Sequence, residues 1–492
     1  MRQAEAWTPT LKPTRRSLKA GLQRLLCCVF LESRVTKTIS RTPDEQTEWA
    51  RRSHRERCRI VASVQRQIVD SAERLIEACT TPQRSDPVET LSAELLPLCA
   101  ALKYIGQRGP KLLRPKKLGT WGRPLWLWGV RSEVHRVPLG EVLILAAWNY
   151  PLLLPGVQAA QALAAGNSVW LKPASGCEKA TELLTAAFHR GGVPETALRL
   201  LPTAPEAATE RIEQGVDLVV LTGSARTGRS VMTQCASTLT PTIMELSGCD
   251  ALIVGPGADL QRVADAVAFG LTFNGGATCI GPRRIIVHPQ QHRSLTEHLR
   301  ARFADAGAQV VHPSARSAAH EMIADAFARG GVDLLAAGSD SLHFTPEQMR
   351  PTIIDGAAAD WPIASAVVFA PVATLLQSHH DEQTIQLVNG CRYRLAAALF
   401  GDGNWARELA ERLDVGHVSI NDLIVPTADP RVPFGGCGDS GFGVTRGAEG
   451  LLAMTRPKVI AQHHGRLYLH LRPRQAADAA RLMQALKWLH GR

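Results

Sequence analysis

The chain has 492 residues, 45% of them hydrophobic and 21% charged, too long for one simple core and too apolar for a disordered protein, so two or three packed lobes are expected. No stretch reaches the roughly 18 uninterrupted apolar residues of a membrane span, and no N-terminal apolar segment leads to a small-residue cleavage site, which makes the cytoplasm the expected compartment. The net charge of +11 sits at the ends, with fourteen Lys and Arg against six Asp and Glu in residues 1 to 60 and eight against one in residues 456 to 492; without aromatic-rich strands or a helix-turn-helix pattern, nucleic acid is not an expected partner.

Residues 1 to 42 are basic, lack periodicity and form an N-terminal extension with no assigned role. From Asp44 to about Cys79, the residues Trp49, Ile60, Val61, Val64, Ile68, Val69 and Ile76 recur as on amphipathic helices, with arginines on the other face. The run WGRPLWLWGVRSEVHRV, Trp121 to Val137, mixes aromatic and β-branched residues around Gly129 and predicts a strand pair that stands apart as a candidate interface ribbon. After Pro138, strand-like EVLILAAW, NSVWLKP, LRLLP and DLVVLTGS alternate with helix-like LLPGVQAAQALAAG, EKATELLTAAFHRG and ARTGRSVMTQCA. That alternation predicts a parallel α/β sheet. A second α/β block, from about Gly248 to Val425, shows strands at ALIVG, RRIIVH, SAVVFA and HVSIN. In the basic tail, residues 474 to 490 place Leu482, Ala485, Leu486 and Leu489 on one helical face with Arg481 and Lys487 outside it.

Three segments carry chemistry. The eleven cysteines are scattered, with no C-x-x-C pair and no Cys/His cluster at zinc spacing, so neither a disulfide framework nor a metal site is expected. One of them, Cys279, lies in FNGGATCIGPRR, where the preceding glycines allow a backbone to approach a ligand and a sulfur to face a cleft; by itself such a cysteine is more often structural. In MELSG, Glu245 follows a strand-like run, and a carboxylate in apolar surroundings gains a raised pKa that suits a general base. In AAWNYP, Asn149 falls at the C-terminal end of a strand, where open α/β sheets place their ligands, and its amide can donate to an oxyanion; it fits equally as a turn residue before Pro151.

Taken together, PLGEVLILAAWNYP, AAGNSVWLKP, LTGSARTG, MELSG, FNGGATC and PFGGCGDSGFG, in that order, resemble the aldehyde dehydrogenase superfamily over roughly residues 45 to 460. The resemblance implies an NAD(P)-dependent enzyme that oxidises an aldehyde to a carboxylic acid, with Cys279 as nucleophile, Glu245 as general base and Asn149 as oxyanion donor beside the Cys279 amide. It implies cofactor contacts at Trp148, Lys172, Ser175, Gly223, Ser224 and Gly228, in a Rossmann variant without the G-x-G-x-x-G signature, and it requires no metal. The implied architecture is a cofactor-binding lobe (43–119 and 138–247), a catalytic α/β lobe (248–455), a bridging β ribbon (120–137 and 456–472) and a basic amphipathic C-terminal helix (473–492). Such ribbons join subunits, so a homodimer or homotetramer is expected, and the basic C-terminal helix adds peripheral membrane contact as a further expectation.

Three positions depart from the family pattern. The usual E-L-G-G reads ELSG, with Ser247 in place of a glycine. Ser175 stands where NAD-preferring members often carry a glutamate, so a 2′-phosphate meets no repulsion and both NAD and NADP are admitted. Val367, in VVFAP, stands where a carboxylate usually holds the nicotinamide ribose. Two rival readings follow: a cofactor-binding oligomer with little dehydrogenase activity, and an acylating enzyme that passes the thioester to coenzyme A. The presence of Glu245 argues for hydrolysis over the second.

Overall fold

A computed structural model of the chain describes residues 48–336, 347–466 and 468–491; the extension at 1–42 and the first residues of the first helical pattern lie outside them. Helix α1 (His54–Asp70) starts at Ser53, whose side chain accepts the backbone N–H of Glu56, and it buries Cys58, Val61, Val64 and Ile68 at helical spacing. With α2 (Leu96–Leu112) it forms the helical layer over the first sheet.

Trp121 to Val137 does not form the expected strand pair. Only β1 (Val130–Pro138) is a strand, preceded by a single 3-10 turn at Leu125–Leu127. Gly129 lies where the strand begins rather than at a hairpin turn; Lys116 and Lys117 pair antiparallel with Val134 and Glu133, and the full-length partner of β1 comes from the far end of the chain, a pairing that no local pattern can announce.

From Glu141 the chain builds β2 (Glu141–Leu145), α3 (Leu153–Ala165), β3 (Ser168–Lys172), α4 (Glu178–Arg190), β4 (Leu198–Leu200), α5 (Pro205–Glu213), β5 (Leu218–Gly223), α6 (Ala225–Ala236) and β6 (Thr242–Leu246). The strands are parallel in the spatial order β6-β5-β2-β3-β4. Helices cover both faces, which is why VLIL in β2 and LVVL in β5 are continuous apolar runs rather than alternating ones. Strand order reverses beside β2, so the loops after β2 and β5 leave in opposite directions and open a crevice at the carboxyl end of the sheet.

The second sheet is built from β7 (Asp250–Val254), β8 (Pro282–Val287), β9 (Val332–Asp333), β10 (Thr352–Asp355), β11 (Val372–Gln377), β12 (Ala396–Phe400) and β13 (His417–Ile420), with α7 (Leu260–Thr272) between β7 and β8. Their order is β9-β10-β11-β8-β7-β12-β13, and only β9 is antiparallel to its neighbour. SAVVFA, expected as a strand, is not one: after the short helix Pro362–Ser365 it runs as an irregular lip, and the ladder begins beyond Pro371, in β11. A short apolar run looks the same whether it is a central strand or the wall of a cleft. Two late segments return to earlier structure. Strand β14 (Gly441–Phe442) pairs antiparallel with β6 beside Glu245, and β15 (Thr455–His463) pairs along the whole of β1. The C-terminal helix α8 (Asp478–His490) buries none of its residues.

Candidate active site

The crevice at the strand ends is a cavity of about 730 Å³. Its apolar part lies between α5 and α6, where Pro205, Ala208, Ile212, Leu221 and Val231 form a slot suited to a flat heteroaromatic ring. Beside it are Lys172, Gly223 and Ser224. Ser224 caps α6, its Oγ accepting the Thr227 N–H at 3.1 Å, and the positive end of this helix is a ready seat for a pyrophosphate. A dinucleotide fits this donor set.

Trp148, Asn149, Lys172, Gly223, Ser224, Glu245 and Cys279 all line the cavity. Two of the expected cofactor residues do not. Ser175 is exposed on the turn after Lys172, just beyond the lining. Gly228 is buried on the inner face of α6, where a Cβ would come within 2.9 Å of Leu246; it is glycine because helix and strand pack closely there, and it is not part of the cavity wall. Ser247 lines the cavity, and its hydroxyl donates to the Gly223 carbonyl at 3.3 Å. Val367 is in the wall next to Val368 and Phe369, and Phe369 packs edge-on to Trp148 with ring centroids 6.0 Å apart.

Cys279 follows a tight turn in which Asn274, Gly275 and Gly276 all have positive φ. Only glycine fits at 276, because a Cβ there would stand 2.6 Å from the carbonyl carbon of Ala370. The turn therefore presses the loop that carries Cys279 against the 366–371 lip. Burial pushes the Cys279 thiol up to about 12, Asp250 adds to the rise, and Arg446 opposes it. The resting thiol therefore carries its proton at neutral pH.

Asn149 is buried, and its Nδ2 donates to the Ala277 carbonyl at 2.8 Å. One amide hydrogen is thus used to fix the group and the other remains. Its neighbour Tyr150 reaches the same loop, its hydroxyl 2.7 Å from Thr278 Oγ1.

Glu245, at the end of β6, is buried, and burial raises its carboxyl above the usual carboxylate range. The Arg446 guanidinium is the first opposing influence, followed by three neutral donors. Gln158 Nε2 reaches Oε2 at 2.9 Å, Thr222 Oγ1 reaches it at 3.1 Å, and Thr445 Oγ1 bonds Oε1. Thr445 is itself held by a two-bond bridge to Phe434, at 2.8 and 2.9 Å. Arg446 packs over the Phe434 ring at 4.6 Å and donates to the Thr427 carbonyl at 2.8 Å. Its backbone has φ 61 and ψ 174, a conformation costly for any residue with a side chain. Sequence reasoning had missed Gln158, Thr222, Thr445, Arg446 and Asp250. The one usable hint was Gln158, which with Gln161 is polar in an otherwise apolar helix.

The chain matches the model of the aldehyde dehydrogenase family over residues 30–460. It is 30% identical over 449 residues to the NADP(+) succinate-semialdehyde dehydrogenase of Deinococcus radiodurans, covering 88% of this chain and 91% of that one. It is 29% identical over 414 residues to the 4,4'-diapolycopene aldehyde oxidase of Methylomonas sp, covering 82% of this chain and 76% of that one. Among solved structures, succinate-semialdehyde dehydrogenase from Burkholderia pseudomallei superposes with a TM-score of 0.78 at 25% identity, over 85% of this chain and 87% of that one.

Proposed function

The chain belongs to the aldehyde dehydrogenase family, oxidising an aldehyde to the acid with NAD(P), and we propose that Cys279 is the nucleophile, Glu245 the general base and Asn149 the oxyanion donor. The observation that carries this reading is that these three side chains, from three separate segments of the chain, line one cavity at the end of the first sheet.

Each residue has a task that its surroundings suit. Cys279 Sγ adds to the aldehyde carbon as its proton leaves to Glu245 or to solvent. The new oxyanion takes the free Nδ2 hydrogen of Asn149 and the Cys279 backbone N–H, donors worth roughly 3 to 4 kcal/mol each where charge develops. NAD(P), when bound, supplies the hydride acceptor that turns the thiohemiacetal into a thioester. Lys172, Gly223 and the α6 N-terminus hold its adenosine and pyrophosphate parts, whereas Val367 offers its ribose no acceptor. Glu245 then takes a proton from water as that water attacks the thioester, and the Cys279 thiolate leaves. The raised carboxyl suits this step, because a base titrating closer to neutrality holds the proton more firmly.

A panel of aldehydes assayed for NADH and NADPH formation tests the activity and cofactor range together. NADP is expected to support a rate within about tenfold of NAD, since no carboxylate at 175 repels a 2′-phosphate. A preference for NAD beyond a hundredfold would remove the assignment of Ser175.

Two surfaces suit partners. Strand β15 has one free edge and exposes Val459 and Ile460, and a second copy of the chain is the partner assigned to it, in a homodimer or homotetramer. Helix α8 is assigned to an anionic membrane surface. Leu482, Leu486 and Leu489 are exposed on one face, Trp488 is 72% exposed, and Arg481 and Lys487 flank the apolar stripe. Among the described residues, packing on its own subunit, the simplest alternative, is not seen: no residue of α8 is buried. A membrane site suits long-chain apolar aldehydes, in line with Leu154, Leu395 and Phe434 in the cavity wall. Among the described residues no helix is long and apolar enough to cross a membrane, so contact would be peripheral. The full chain should co-sediment with vesicles containing phosphatidylglycerol at low salt and be released as salt rises, while a chain ending at Leu471 should stay in solution. Equal binding by both chains would dismiss the helix as an anchor.

A further inference from the structure

A buried polar assembly lies directly behind Asn149. Arg84 and Glu94 form an ion pair that is almost wholly buried, with side chains 6% and 0% exposed. Arg84 does more than neutralise its partner. Its Nη2 donates to the backbone carbonyl of Asn149, and its Nε and Nη2 reach Asn274 Oδ1 at 3.2 and 3.1 Å. Asn274 Nδ2 donates to the same Asn149 carbonyl at 2.9 Å, and Asn274 opens the positive-φ turn that leads to Cys279. On the other side, Glu94 Oε2 accepts the backbone N–H groups of Leu152 and Leu153 at 2.6 and 2.9 Å, just after Asn149. Glu94 itself sits in a π-helical turn, Leu91–Leu95, an irregularity that breaks the helix ladder where the carboxylate must turn inward.

We propose that Arg84 and Glu94 are positioning residues for the oxyanion hole, holding the Asn149 backbone and the Cys279 turn in one fixed relation. The proposal rests on the reading of Asn149 as the oxyanion donor. The planar guanidinium is what the task needs, since it addresses a carboxylate, a carbonyl and an amide oxygen at once, while a lysine ammonium would be a point charge with one short reach. A pair needed only for stability is an uneconomical choice: buried ion pairs can often be replaced by apolar residues without loss. Here the pair also makes five hydrogen bonds to four backbone and side-chain groups that frame the two reacting loops. Misplacing a reacting group by around 1 Å can cost on the order of a hundredfold in rate.

The test compares two reactions of Cys279 in the full chain. Acylation by 4-nitrophenyl acetate passes through a tetrahedral oxyanion: the sulfur adds to the ester carbonyl, the thiol proton goes to base, and 4-nitrophenolate leaves. Alkylation by iodoacetamide displaces iodide at a saturated carbon and forms no oxyanion. Arg84→Lys should lower the acylation burst rate roughly 30- to 100-fold and leave the alkylation rate within about threefold. Glu94→Gln, which keeps the shape and an acceptor, should lower acylation by about tenfold and likewise spare alkylation; it carries the test should Arg84→Lys not fold. Asn149→Ala separates the two readings. If it leaves acylation intact, the role of Asn149 fails. If it slows acylation and Arg84→Lys adds no further loss in its background, the pair acts through Asn149 as proposed. Equal losses in acylation and alkylation, or fully multiplicative losses with Asn149→Ala, would overturn the proposal and leave the pair a structural element.

Discussion

Cys279→Ser should lower aldehyde oxidation at least about 1000-fold, the equivalent of roughly 4 kcal/mol of barrier, with cofactor binding unchanged. The reason is the nucleophile. A serine hydroxyl in this pocket would meet the same burial that already pushes the thiol up to about 12, from a far higher starting point, and so would not ionise. The cofactor slot between α5 and α6 belongs to the first sheet and is untouched by the change. The thiol also has a definite pH signature. Because its pKa is raised, its thiolate fraction is small at neutrality and grows as pH rises, so alkylation of Cys279 should speed up about tenfold per unit from pH 7 to 9. Activity above a few per cent in Cys279→Ser would show that another group attacks the aldehyde.

Glu245→Gln should leave acylation largely intact and stop the second half-reaction, so that one equivalent of reduced cofactor forms in a burst and the thioester on Cys279 persists. A glutamine of the same shape can still accept from Thr445 through its carbonyl oxygen, but it cannot take a proton from water. Steady-state turnover is expected to fall on the order of 100- to 1000-fold, within the range attributed to general-base and electrostatic groups. In the wild type, hydrolysis of the thioester should rise with pH as Glu245 loses its proton, and the raised carboxyl places that rise above the ordinary carboxylate range. The variant should lack this limb. Intact-mass spectrometry during slow turnover is the direct measurement: an enzyme free of acyl adduct would mean that Glu245 is not the base that releases the acid.

Both predictions depend on side chains whose identity was legible in the motifs and whose chemistry was not. That MELSG carries a buried carboxylate was expected from its apolar surroundings, and Glu245 is buried with its carboxyl raised. The neutral donors around it were not foreseen. Gln158 comes from α3, Thr222 from the end of β5 and Thr445 from beyond β14, three places with no common pattern in the chain. At Gly228, in the LTGSARTG string that implies a cofactor contact, the closeness of Leu246 already requires a glycine, a packing demand that only the fold shows.

Read by itself, the amino-acid order determined the elements that rest on local rules. The β2 to β6 strands and α3, α4 and α6 follow from apolar runs, helical spacing and glycine caps, because side-chain direction repeats every two residues in a strand and about every 3.6 in a helix, whatever lies far away. It also located Cys279, Glu245 and Asn149 as chemically suited groups. Only the tertiary structure decided what those groups touch. β1 meets β15 across most of the chain, the SAVVFA run becomes the cavity lip instead of a strand, and Arg84 crosses from the helical layer to the Asn149 carbonyl. Such partners are chosen by how the sheets stack and where their loops converge, and the cost of burying each charge, which sets its proton affinity, exists only once that packing has excluded water.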